Sequence, residues 1–430
     1  MSKKIALYLS IVGIFIIAFV LGLVAGGGFL KKTTEPTLAP PSVVEIPSKV
    51  EGKITSQQPV EAPGPVSIAE EKTLPAPVEM LPKIEERATA TVVTEVQVPS
   101  EQKEKISKFE FQKGMVYVAW TGNGYSNPNS VGAMEQMASL GIKWVGIVTT
   151  WYQDKYNSTK IYPQWDKTPT DESLIFAIRK LHELKFKVML KPHLDLVECE
   201  GKWRGEIGCD IVTDWQAWFD NYAAFLLHYA DIAAKENVEL LCIGTELANT
   251  TISQPQRWRD LIKKIREVYK GQLTYAANWD TEFKEISFWD MLDYAAIDPY
   301  FPLICSSKPK VEELKSAWGD WIKTIEEWQQ KINKPVIFTE IGYKSARDAA
   351  DEPWQHAAAG ELDLEVQVNL YKALLESFWD RPWFYGVYWW HWGTNPRMGG
   401  DLNRGFTPQN KPAQEVIKEW YSKPITGKKY

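Results

Sequence analysis

The sequence predicts an α/β fold: a (β/α)8, or TIM, barrel over residues 109–430, preceded by an N-terminal transmembrane helix and a disordered Pro-rich linker. Two observations carry the barrel. After Lys113 short apolar runs alternate with longer amphipathic stretches, as in parallel strands joined by helical crossovers, and eight such runs can be marked out. All 20 Trp also lie beyond residue 109, whereas Thr33 to Lys108 holds no Phe, Trp or Tyr. The aromatic material for a large core therefore belongs to one body, of the size that a barrel with loop insertions needs. A doubly wound open sheet would carry a Gly-rich phosphate loop after its first strand, and none is present.

The strands are expected at Gly114 to Ala119, Trp144 to Thr149, Lys187 to Pro192, Leu240 to Thr245, Gln272 to Ala277, Tyr294 to Asp298, Val336 to Thr339 and Tyr385 to Trp390. Helical patterns fall at Thr170 to Leu184, Trp215 to Glu236, Pro255 to Tyr269, Val311 to Ile332, Leu362 to Trp379 and Pro412 to Tyr421. Trp144 and Trp389, inside strands, read as core. Acidic pairs such as Glu312-Glu313 and Glu326-Glu327 read as solvated helix faces.

Residues 1–32 read as a signal-anchor. Ile5 to Leu30 carry no charge and are flanked by Lys3-Lys4 and Lys31-Lys32, and the run exceeds the roughly 20 apolar residues that span a bilayer. The basic leader keeps the N-terminus in the cytoplasm and sends the body outside the cell. The competing reading is a signal peptide cleaved near Val24-Ala25-Gly26 and a secreted body. Residues 33–108, rich in Pro and Glu and without aromatics, bury too little surface to offset their ordering entropy and are expected to be a disordered tether.

With 49 Lys+Arg against 55 Asp+Glu, the net charge of −6 argues against a nucleic-acid partner, which needs a basic surface. The spacing of Cys199, Cys209, Cys242 and Cys305 fits no zinc pattern, and the histidines form no HExxH pair, so neither metal nor cofactor is expected. Cys199 and Cys209 flank a glycine-rich loop where an exported domain permits a disulfide. Cys242, in an apolar run, reads as a buried thiol.

Barrel chemistry sits where strands end. Glu246 closes the fourth apolar run and Glu340 the seventh, three repeat lengths of about 31 residues apart, so the two carboxylates belong to facing strands and converge over the mouth. Such a pair is what glycosidic bond cleavage requires. Taken singly, each Glu is also explained by the dipole of a following helix, and it is the matched pair that carries the signal. Trp120, Trp151, Trp279, Trp390 and Trp392 sit at strand ends, where exposed rings stack on pyranose C–H faces. Lys191 and His193, two residues apart on strand three, face the same side. They either contact sugar hydroxyls or form a buried polar layer with Asp195 or Asp298.

The segments Lys113-Gly114-Met115, Lys191-Pro192-His193, Gly244-Thr245-Glu246, Ile297-Asp298-Pro299-Tyr300, Thr339-Glu340-Ile341-Gly342-Tyr343 and Tyr388-Trp389-Trp390-His391-Trp392 together resemble glycoside hydrolase family 113, the retaining β-mannanases of clan A, from about Lys113 to Tyr421. The resemblance implies Glu246 as acid/base and Glu340 as nucleophile, and Tyr300 as a donor to the nucleophile. Many clan members place Asn immediately before the acid/base, where this chain has Thr245. The contact to the sugar 2-hydroxyl is then open, with Asn278 as a candidate. The expected function is a membrane-tethered retaining hydrolase of β-1,4-mannan or a related β-glycan. Two alternatives stand beside it: hydrolysis or transglycosylation of another β-glycan, and a surface barrel that binds polysaccharide without turnover.

Overall fold

A computed structural model describes residues 109–208, 214–356 and 360–430. The expected anchor and linker lie outside these residues, as does Cys209 and with it the expected Cys199–Cys209 bridge. Among the described residues no helix is long and apolar enough to cross a membrane.

Eight parallel strands close in chain order: β1 (Gln112–Val118), β2 (Trp144–Gln153), β3 (Lys187–Leu196), β4 (Leu240–Thr245), β5 (Gln272–Asn278), β6 (Ala295–Asp298), β7 (Val336–Ile341) and β8 (Phe384–Gly393), with β1 pairing β8. The helices are α1 (Ser130–Ser139), α2 (Asp171–Glu183), α3 (Trp215–Lys235), α4 (Ala248–Ser253), α5 (Pro255–Val268), α6 (Glu282–Glu285), α7 (Val311–Ile332), α8 (Leu364–Phe378) and α9 (Pro412–Ser422). Local chemistry sets several starts. The side chains of Thr170, Asp214 and Asp363 accept from the backbone N–H groups of Ser173, Ala217 and Val366 and cap α2, α3 and α8.

The expected strands and long helices are all present, with differences at their ends. β2 and β3 continue in register to Gln153 and Leu196 because their pairing persists beyond the apolar runs. The crossover from β5 to β6 has no full helix: α6 and a single turn at Trp289–Met291 cover that side with buried Phe283, Phe288 and Trp289. α1 is an addition to the expected helices, its apolar spacing around Gly132 being too weak to predict it.

Aromatic rings fill the layer between strands and helices. Trp218 stacks on Tyr222 at 4.8 Å, and Trp389 stacks on Tyr371 at 3.9 Å. Trp144 and Trp389 are buried in the core, as strand tryptophans should be, and Cys242 is a buried thiol. At Gly244 an added Cβ would lie 2.6 Å from the Tyr275 ring. Glycine there lets this tyrosine pack directly against β4, just below the mouth.

Candidate active site

The C-terminal ends of β3 to β8 hold the polar residues. β5 and β6 pair Asn278 with Asp298, which sets the depth of both. Glu246 follows β4 in a left-handed backbone conformation, φ 53°, with its N–H donating to the Ala276 carbonyl at 2.8 Å. A non-glycine residue holds that conformation at a cost of about 1–3 kcal/mol and only where its surroundings enforce it.

Glu246 and Glu340 line one cleft, together with His193, Arg204, Tyr300, Trp354, His356, Trp390 and Phe406. Their surroundings differ. Glu340 is ringed by donors: Lys191 Nζ at 2.8 Å on Oε2 and the Tyr300 hydroxyl at 3.0 Å on Oε1. These bonds grip both oxygens of the side chain and fix its position. Glu246 receives one bond from a neutral group, Asn278 Nδ2, at 2.9 Å on Oε1. Burial pushes its carboxyl above the ordinary range and the charge of Glu340 adds to this, while Arg204 and the Asn278 bond oppose it. One carboxyl, that of Glu246, is therefore favoured as an acid beside another that is held at both oxygens.

Lys191 is wholly buried and also reaches Asp298 Oδ2 at 3.1 Å. Burial alone would discharge it, but the attraction of Asp298 and Glu340 outweighs burial and raises its pKa. Thr339 donates to the other oxygen of Asp298 at 2.6 Å. Lys191 thus belongs to a buried polar layer with Asp298, the second of the two expected roles, and the same nitrogen touches Glu340. Burial and the nearby Lys191 and Arg204 push His193 well below its usual pKa, so it stays neutral. Among the described residues no three His, Cys, Asp or Glu side chains gather to hold a metal ion.

The tryptophans separate. Trp390 lines the cleft. Trp279, half-buried, stacks on Trp354 at 5.2 Å and 21°. Trp120, 48% exposed, stands edge-on to His391 at the mouth. Trp151 instead turns outward: it packs on Phe225, His228 and Tyr229 of α3 and donates to the Tyr229 hydroxyl at 2.8 Å. Trp392 is fully buried and offers no face to a sugar.

Of the residues at or beside the cleft that the sequence does not mark, three bear most on the two glutamates and their surroundings. Arg204, in the loop after β3, contacts Asp195 Oδ2 at 3.3 Å and bears electrostatically on both glutamates. Trp354 comes from the loop after β7. Glu282, buried under Asn278, has a carboxyl pushed up to about 7 by burial against three opposing hydrogen bonds.

The sequence matches Glycoside Hydrolase Family 113 across residues 115–411. The chain belongs to that family. Solved structures agree with the assignment. One described as a complex of a GH113 β-1,4-mannanase is 27% identical with a TM-score of 0.66, covering 74% of this chain and all of the other. The GH113 β-mannanase AaManA from Alicyclobacillus acidocaldarius, in complex with ManMIm, is 26% identical with a TM-score of 0.65, covering 73% and 98%. The β-glucuronidase of Ruminococcus gnavus, at 13% identity and a TM-score of 0.50, shares the fold alone. Among curated proteins none matches the chain. This family 113 member is a glycosidase with a mannanase-like barrel.

Proposed function

We propose that this chain is a retaining hydrolase of β-1,4-mannan or a closely related β-glycan, tethered outside the cell by its N-terminal apolar segment. The observation that carries the reaction is the contrast between two carboxylates of one cleft: Glu340 gripped at both oxygens by Lys191 and Tyr300, Glu246 favoured as an acid by burial. In this reading Glu340 attacks the anomeric carbon while Glu246 gives its proton to the departing glycosidic oxygen. A glycosyl ester on Glu340 results. Glu246, now ionised, takes a proton from water as the water attacks the same carbon from the opposite side, and Glu340 is released as carboxylate. Tyr300 and Lys191 hold Glu340 in place in both steps, and Asn278 orients Glu246. Trp390, Trp279 and Trp120 supply faces for sugar rings. Support for mannan comes from the two structural relatives, each described as a β-mannanase.

The full chain is offered a panel of β-glycans and new reducing ends are measured. Release is expected from mannan and lost in both Glu246→Ala and Glu340→Ala. Azide added to Glu340→Ala is expected to give a glycosyl azide of inverted configuration; its absence counts against Glu340 as nucleophile. For the tether, the body should fractionate with membranes and be open to external protease, and recovery in the soluble fraction refutes it.

A further inference from the structure

Glu282 has no part in the two displacements, yet every hydrogen bond to its carboxylate leads towards Glu246. The residue is 1% exposed and sits under the end of β5. Its Oε1 accepts from the Tyr275 hydroxyl at 2.6 Å and from Thr251 Oγ1 at 2.9 Å, and its Oε2 accepts from the Asn278 N–H at 2.7 Å. Asn278 is the residue whose Nδ2 donates to Glu246. The Tyr275 hydroxyl accepts from the N–H of Leu247, the residue after Glu246, at 2.7 Å. Thr251 lies in α4, which begins two residues past Glu246. One carboxylate therefore ties together the segment that carries Glu246 and the side chain that orients it. Burying a carboxylate is costly unless it is fully bonded. Here donors converge on both oxygens, which a glutamine, with one acceptor oxygen, does not satisfy.

We propose that Glu282 is a positioning residue for Glu246, holding its left-handed backbone through Tyr275 and its carboxyl through Asn278 so that the proton points at the leaving-group oxygen. This rests on the reading of Glu246 as acid/base.

Two substrates separate proton delivery from everything else. The aglycone of phenyl β-mannobioside departs poorly and needs a proton, whereas that of dinitrophenyl β-mannobioside departs unaided. In the full chain, Glu282→Gln is expected to lower kcat/KM for the phenyl substrate by about 10- to 100-fold, part of the range that general acid catalysis supplies, and to leave the glycosylation rate of the dinitrophenyl substrate within about 3-fold. Tyr275→Phe removes only the bridging hydroxyl and is expected to show the same selective loss, smaller in size. It decides the question if Glu282→Gln does not fold. Equal losses on both substrates, or none, overturn the proposal. Glu246→Ala is the reference. If it too loses both substrates equally, the acid/base reading falls and the positioning role with it. If it is selective and neither Glu282→Gln nor Tyr275→Phe is, the positioning role alone falls.

Discussion

Lys191 stands between two acids, its Nζ 2.8 Å from Glu340 Oε2 and 3.1 Å from Asp298 Oδ2, with no solvent exposure of its own. A cation so placed has two consequences, one for the fold and one for the nucleophile. Removing it leaves two carboxyls facing each other across a buried gap.

Lys191→Met is therefore expected to cost about 3–5 kcal/mol of stability, the usual penalty for breaking a buried ion pair from one side. Adding Asp298→Asn should restore part of that loss, because the second change removes a charge left without its partner. Urea denaturation of the two single variants and the double variant gives the coupling. Simple additivity of the two losses refutes the network.

The alkaline limb of kcat/KM should follow the acid. Glu246 must be protonated to act, and its raised pKa carries the protonated form to higher pH than an ordinary glutamate would. Among its neighbours Arg204 is the largest opposing influence. Arg204→Met should thus move the limb further alkaline, as read from a pH profile on mannan. An unmoved limb, or one shifted towards acid, contradicts the assignment of that limb to Glu246.

Trp354 lines the cleft and is backed by Trp279. Trp279 directly follows Asn278, whose side chain bonds Glu246. Trp354→Ala is expected to raise KM for manno-oligosaccharides several-fold, about 1 kcal/mol of stacking, with kcat nearly unchanged. A fall in kcat at constant KM would instead place Trp354 in the chemistry.

Much of this was readable because strands and their ends leave strong marks. Glu246 and Glu340 each close an uninterrupted apolar run, and eight such runs are hard to arrange otherwise. The direction of Trp151 was also present in the sequence as parity. Lys191 and His193 face the cleft and pair in register with Val148 and Thr150, so Thr149 and Trp151 must point out to the helices. That step requires the register between the two strands, which neither run specifies by itself. Arg204 and Trp354 were invisible for another reason: they ride on loops whose course is fixed by packing rather than by periodicity. Glu282 looked like any polar residue in a short connection, since nothing local says that Thr251, Tyr275 and Asn278 will meet around it.

Lys411 gives a stability test away from the chemistry. It is buried at the start of α9, where its Nζ donates to Ser345 Oγ at 2.8 Å and to the Gly405 carbonyl at 2.7 Å. Burial pushes its pKa down to about 7. In the unfolded chain a lysine titrates near 10.4. Between those two values the unfolded state binds the extra proton, so the contribution of Lys411 to stability rises with pH across that window and is least below it. Lys411→Met removes the titration. Relative to the unaltered chain, the variant is expected to be more stable at about pH 6 than at about pH 9, as urea midpoints at both values would show. A stability difference that does not change between them would mean that Lys411 keeps its charge inside the fold.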